Sequence, residues 1–84
     1  MLNFFTLPPT QRAALAEAAI GNLIRCTGGF KRAGTATPHT VRCCNALQRE
    51  QLIEFADPDT ERRVLRITAT GRDLITAAQQ PVAA

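Results

Sequence analysis

The chain has 84 residues, of which 45% are hydrophobic, and it carries a net charge of +3 without any Trp or Tyr. A chain of this length has room for one small core, so residues 1–84 are predicted to form a single domain. The first residues lack the pattern of a signal peptide, and no run of about eighteen apolar residues could span a bilayer. A cytoplasmic protein without a membrane partner is expected, and its three cysteines are expected to be reduced.

The first half of the chain predicts a helix followed by a hairpin. The helix begins at Pro9 or Thr10 and ends at Gly21 or Asn22, and its apolar residues recur at helical spacing. These residues are Ala14, Leu15, Ala18 and Ala19. The preceding segment "LNFF" is expected to pack across this helix or to form an edge strand. Gly28 and Gly29 suit a tight turn. Residues 23–26 are therefore predicted to form a hairpin with residues 30–33.

The second half predicts a helix, a second hairpin and a last helix. Thr37 is the predicted N-cap of the middle helix, with Pro38 at the first helical position and the helix covering residues 38–50. From Leu52 the apolar period changes to two, which indicates a hairpin between residues 52 and 67. Thr68 is the predicted cap of the last helix, whose buried stripe is Leu74, Ile75 and Ala78. The order helix, hairpin, helix, hairpin, helix predicts an α+β fold.

Three stretches resemble motifs of bacterial winged-helix regulators. "LPPTQRAALAEAA" resembles their opening "L-T-P-x-Q-R-x-A-L", and "LRITATGRDLI" is similar to the "L-T-x-x-G-R-x-L" that closes the wing in MarR-like repressors. "TVRCCNALQREQLIEF" resembles their recognition helix and first wing strand. The resemblance covers residues 7–76 and implies a winged helix whose second hairpin is the wing. It also implies a DNA-binding transcriptional regulator of bacterial or phage type.

The chain also departs from this family in three places. The stretch "GGFKRAGTATP" is too short and too rich in Gly, Thr and Pro for the helper helix of a helix-turn-helix, and Gln51 replaces the Gly that ends the recognition helix. The last helix is shorter than those through which MarR-like proteins pair. These departures indicate a minimal winged helix of the kind encoded by phages and mobile elements, and they leave a homodimer open.

The middle helix predicts a surface for double-stranded DNA. Arg42, Asn45 and Arg49 are spaced i, i+3 and i+7 on the side opposite Val41, Cys44 and Leu47, where they could read base edges or form an ordinary solvated surface. His39 and Thr40, at the helix start, are expected to meet phosphate. Further backbone contacts are predicted for residues of the two hairpins, namely Arg62 and Arg63 on the wing and Lys31 and Arg32, with Arg25, on the first hairpin.

An alternative function is a winged-helix module that binds another protein and not DNA. The wing loop carries Asp57, Asp59 and Glu61, which repel DNA, and the "LNFF" segment is apolar. Either could contact a protein partner.

The remaining chemistry is sparse. Cys44 is predicted to be a core residue and Cys43 a neighbour at the rim, while a redox pair of Cys26 with Cys43 stays open. The Cys and His residues lack zinc-site spacing, so neither a metal nor a cofactor is expected. A single His39 without a catalytic partner predicts that the protein is not an enzyme.

Overall fold

The computed structural model describes residues 3–56 and 64–79. Within these ranges the chain forms three α-helices, one 3-10 turn and a four-stranded antiparallel sheet, so the predicted α+β class and order of elements are confirmed. The elements are a 3-10 turn Phe4–Thr6, α1 Pro9–Ile20, β1 Leu23–Cys26, β2 Gly29–Arg32, α2 Val41–Arg49, β3 Ile53–Phe55, β4 Val64–Ile67 and α3 Ala69–Gln79. None of the helices in the described ranges has the length and apolarity needed to cross a membrane.

Helix α1 follows the prediction from its local sequence. Pro9 occupies the first helical position, where its missing N–H costs no helical hydrogen bond. Gly21 ends the helix, and its N–H donates to the carbonyl of Glu17 at 3.0 Å. The residues before α1 form a 3-10 turn capped by Asn3, so the edge-strand alternative is wrong. Leu7, which follows that turn, is buried in the core.

The sheet has the strand order β2-β1-β4-β3. Leu23 in β1 is opposite Leu65 in β4, and both side chains are fully buried on the face that the helices cover. The next residue, Ile24, points to the other face and is 44% exposed, because successive side chains in a strand alternate. The core therefore lies on one side of the sheet, where seven large side chains are almost completely buried: Leu15, Leu23, Phe30, Leu47, Leu52, Ile53 and Leu65.

The first hairpin pairs one residue out of the predicted register. Cys26 is opposite Gly29, so the turn is made by residues 27–28 and Gly29 belongs to β2. A Cβ at Gly29 would come within 1.9 Å of the carbonyl oxygen of His39, so this glycine allows β2 to approach another segment of the chain. A shift of one residue exchanges the faces on which the side chains of a strand lie. The predicted pairing of 23–26 with 30–33 is therefore wrong by one position.

Helix α2 begins later than predicted. Its N-cap is Thr40, whose hydroxyl oxygen accepts a 3.2 Å hydrogen bond from the N–H of Cys43, and its first residue is Val41. The predicted cap at Thr37 and start at Pro38 are wrong. His39 is held in a backbone pair with Phe30, with N–H to oxygen distances of 2.9 and 2.7 Å, so the residues before Thr40 cannot join the helix.

Helix α2 ends in a Schellman motif at Gln51. Gln51 has φ of 61°, in the left-handed region that favours glycine. Its N–H donates to the carbonyl of Gln48 at 2.9 Å, and the N–H of Leu52 donates to Leu47 at 3.0 Å. Leu52 was predicted to be a strand residue, but it is buried just before β3. The motif turns the chain sharply from α2 into the second hairpin.

Helix α3 begins as predicted at its threonine cap. The hydroxyl oxygen of Thr68 accepts a 3.0 Å hydrogen bond from the N–H of Gly71. Within the predicted stripe, Ile75 is buried and Leu74 packs against the core. The third member, Ala78, is half-buried.

Candidate nucleic-acid interface

Helix α2 divides cleanly into a buried and an exposed side. Cys44 and Leu47 are fully buried, and Val41 packs against the core beside them. Arg42 and Asn45 are exposed on the opposite side. Arg49 is also exposed, so the three side chains predicted to face away from the core do so.

The exposed side of α2 is basic. The helix contains Arg42 and Arg49 and no acidic residue, and its first turn carries no acid that would neutralise the positive end of the helix dipole. Among the described residues, ion pairs join Arg32 to Glu17 and Arg66 to Glu54, and neither arginine of α2 takes part in one. Both guanidinium groups therefore remain available for an anionic or acceptor-rich partner.

Asn45 lies between these arginines along the helix. Its side-chain oxygen accepts a 3.3 Å hydrogen bond from the amide nitrogen of Gln48, which leaves the amide NH₂ of Asn45 facing solvent. Arginine can hold guanine O6 and N7 with two hydrogen bonds, and asparagine can hold adenine N6 and N7. The side chains needed for direct reading of base edges are thus present on one exposed surface.

His39 and Thr40, the two residues predicted to contact phosphate at the start of α2, already use some of their hydrogen-bonding groups within the protein. The backbone N–H and C=O of His39 are both bonded to Phe30, so this N–H is not available to a ligand. Thr40 uses its hydroxyl oxygen to cap the helix through the N–H of Cys43, and the hydroxyl hydrogen remains able to donate. His39 itself is half-buried.

The basic residues of the first hairpin, Lys31, Arg32 and Arg25, have different surroundings. Lys31 is opposite Ile24, on the face of the sheet that points away from the core. Arg32 forms an ion pair with Glu17 of α1, and both side chains are partly buried. Arg25 is opposite Phe30, and its guanidinium carbon lies 5.4 Å from the centre of the Phe30 ring. The corrected register was needed to find this neighbour, since the predicted pairing places Arg25 opposite Lys31.

The predicted wing contacts, Arg62 and Arg63, lie outside the described residues, as do the acidic positions 57, 59 and 61. The strands that flank this loop are described. Glu54 of β3 is opposite Arg66 of β4, and the two side chains form an exposed ion pair of 3.2 Å. This pair leaves little net charge on the described part of the second hairpin.

The two adjacent cysteines belong to the core. Cys43 was predicted to lie at the rim, but it is only 7% exposed, because the start of α1 covers it and the carbonyl of Thr10 accepts a 3.4 Å hydrogen bond from its thiol. Burial raises the pKa of Cys43, against a smaller lowering by the side chain of Thr10. Burial, with a smaller contribution from the Cys43 charge, raises the pKa of Cys44 to about 12. Both thiols are therefore protonated at neutral pH and poor nucleophiles.

Within residues 3–56 and 64–79, no three His, Cys, Asp or Glu side chains come together as a metal site would require. Comparisons of the chain with protein-family models, with curated proteins and with solved structures find no match. The exposed side of α2 is accordingly assessed on its own chemistry and geometry.

Proposed function

We propose that the protein is a small DNA-binding protein that reads double-stranded DNA with α2 and acts as a transcriptional regulator. The observation that carries the proposal is the exposure of Arg42, Asn45 and Arg49 on one side of a helix whose other side is fully buried. Chemically, these three side chains match the acceptor and donor pattern of base edges in the major groove. The groove is wide enough to admit an α-helix.

We also propose a winged-helix arrangement for this protein. Support comes from the path of the chain, which leaves α2 through Leu52 and passes directly into the antiparallel hairpin β3–β4. In this arrangement the hairpin is the wing and α2 is the recognition helix. The position of the helper helix in the chain is taken by β2, whose outer edge holds His39 and thereby fixes the start of α2.

The length of α2 sets the size of the site that it reads. From Arg42 to Arg49 the helix rises about 10 Å, since each residue adds about 1.5 Å. Base pairs are stacked about 3.4 Å apart, so this distance covers about three base-pair steps. One chain would therefore read a short site of three or four base pairs, with each bidentate contact contributing about 1–3 kcal/mol of discrimination.

Salt titration of duplex DNA binding tests the proposal. The wild-type protein is expected to bind a random-sequence duplex at low salt, with affinity that falls linearly with salt on a double-logarithmic plot. The double variant Arg42→Ala with Arg49→Ala should lose about two units of slope, because on a random sequence, without their specific bases, both guanidinium groups interact with phosphates. Arg72→Ala provides a control, since this exposed arginine lies on α3.

Two results would contradict DNA binding through α2. One is an undetectable affinity of the wild-type protein at low salt. The other is a double variant whose salt slope equals those of the wild-type protein and of Arg72→Ala.

A protein-interaction module without DNA binding is the second candidate. Its support is the exposed Phe5, which belongs to the apolar segment before α1, is 65% exposed and contacts Phe4 edge to face at 5.6 Å between ring centres. A large exposed aromatic side chain is a typical anchor in protein interfaces. The same titration separates the two candidates, because this module requires no affinity for DNA at any salt concentration.

A further inference from the structure

Two basic residues of the β1–β2 hairpin, Arg25 and Lys31, lie on opposite faces of the sheet. The Phe30 ring is buried in the core, on the side of the sheet where Cys44 and Leu47 of α2 also lie. Arg25 is directly opposite Phe30, so its side chain leaves the sheet on this same side. Lys31 follows Phe30 in β2 and therefore points to the opposite side, beside Ile24. Only one of these two cations can extend the surface of α2.

Arg25 is linked to the start of α2 through two successive backbone pairings. Arg25 pairs with Phe30 across the hairpin, and Phe30 pairs with His39, the residue before the N-cap of α2. Neighbouring strands lie about 4.8 Å apart, so the backbone of Arg25 is about 10 Å from that of His39. At this distance Arg25 is close to α2 without being part of it. In helix-turn-helix proteins, residues outside the recognition helix contact the DNA backbone in this way.

The guanidinium of Arg25 is also oriented by its surroundings. It lies over the Phe30 ring at 5.4 Å, within the range of a cation–π interaction. This interaction holds the side chain without neutralising its charge, whereas the charge of Arg32 is neutralised by Glu17. No acidic side chain of residues 3–56 and 64–79 forms an ion pair with Arg25. A guanidinium that is already oriented loses less side-chain freedom when it meets a phosphate.

We infer that Arg25, and neither Lys31 nor Arg32, is the residue of the first hairpin that contacts a backbone phosphate of DNA bound to α2. The inference rests on the proposed function. It adds a backbone contact to the base-reading surface of Arg42, Asn45 and Arg49. This contact fixes the position of the helix on the duplex and carries no sequence preference of its own.

The experiment neutralises each cation in the same way. Arg25→Gln, Lys31→Gln and Arg32→Gln are compared with the wild-type protein in salt titrations against a random-sequence duplex, and Arg25→Lys restores the charge. Arg25→Gln is expected to lower the slope of log affinity against log salt by about 0.9, equally for unrelated duplex sequences. Arg25→Lys, Lys31→Gln and Arg32→Gln should keep the wild-type slope. Urea unfolding of each variant confirms that it is folded. If Arg25→Gln does not fold, Arg25→Ala serves as a second variant without the charge.

The possible results separate the two proposals. A wild-type slope in folded Arg25→Gln or Arg25→Ala overturns the inference while leaving DNA binding by α2 intact. A slope lost in Lys31→Gln or Arg32→Gln instead also overturns it. A wild-type protein without measurable affinity at low salt overturns the proposed function, and with it the role of Arg25.

Discussion

The hydroxyl of Thr68 donates a 2.7 Å hydrogen bond to the backbone carbonyl of Gln51, so the residue that ends α2 is joined to the residue that caps α3. One residue further on, the carbonyl of Leu52 accepts a 3.0 Å hydrogen bond from the N–H of Thr68. The same carbonyl lies against Gly71, where an added Cβ would come within 2.2 Å of the oxygen. The C-terminal end of α2 is therefore fixed against α3 by backbone contacts.

The variant Gln51→Gly is expected to stabilise the protein. Gln51 adopts a φ of 61°, which costs a residue with a Cβ about 1 kcal/mol and costs glycine almost nothing. Part of this gain is offset by the greater freedom of glycine in the unfolded chain, so a net increase of about 0.5 kcal/mol in the free energy of unfolding is expected. Urea denaturation measures it.

Gln48→Gly is the matched control for Gln51→Gly. Gln48 lies inside α2, where glycine is expected to destabilise by about 1 kcal/mol. If both glycine variants lower the unfolding midpoint, the left-handed conformation at residue 51 is contradicted.

Thr40→Ala is expected to destabilise the protein by about 1 kcal/mol, because it removes the hydroxyl that accepts from the N–H of Cys43. Thr37→Ala should change stability by less than about 0.5 kcal/mol, since Thr37 is exposed and lies outside the helix. Thermal unfolding of the two variants compares the observed cap directly with the cap that the sequence predicts. A larger effect at Thr37 would favour the predicted helix start.

Gly29→Ala is expected to be among the most damaging single-methyl changes in the chain. Its Cβ would collide with the His39 carbonyl, so β2 or the start of α2 must move, at a cost of about 3 kcal/mol. Gly34→Ala is the control, because Gly34 also has a positive φ, of 87°, but nothing lies within 4 Å of its added Cβ. It should cost about 1 kcal/mol from backbone strain alone. Equal unfolding midpoints for the two variants would show that the contact with His39 is unimportant.

The buried thiols make stability depend on alkaline pH. In the folded protein the pKa of Cys44 is about 12, against an ordinary value of 9.0, so the folded state holds this proton more tightly than the unfolded state does. The stabilisation is complete below pH 9 and is lost as the pH rises from 9 towards 12. Over that window the free energy of unfolding should fall by about 1.4 kcal/mol per pH unit from this group.

Cys44→Ala isolates this contribution from the other groups that titrate in the same range. The variant is less stable at pH 7, because it leaves a small cavity in the core. Its free energy of unfolding should nevertheless fall less steeply between pH 9 and 11 than that of the wild-type protein. Parallel pH profiles would contradict the raised pKa of Cys44.

Sequence reasoning succeeded where neighbouring residues decide the structure. Pro9 and Gly21 bound α1, and Thr68 caps α3, because capping depends on residues within one helical turn. The exposure of Arg42 and Arg49 also followed from the period of a single helix. These features required no knowledge of what the rest of the chain contacts.

Three of the errors involve contacts between segments that are separated along the chain. The start of α2 was misplaced because His39 pairs with Phe30, and the hairpin register was misplaced because Gly29 is needed for the approach to His39. Cys43 was expected at the rim because nothing local indicates that the Thr10 carbonyl, 33 residues earlier in the chain, accepts its thiol hydrogen. The local propensities of the residues contain no information about such tertiary contacts.

The pairing of His39 with Phe30 also bears on how the exposed side of α2 could vary during evolution. At both ends α2 is held by main-chain hydrogen bonds, from His39 to β2 and from Leu52 to Thr68, and these bonds do not depend on which side chains the helix exposes. Substitutions at Arg42, Asn45 and Arg49 can therefore alter the exposed surface of α2 with little cost in folding. The exposed residues of α2 can thus be replaced independently of the fold. Most members of a library randomised at those three positions should remain folded.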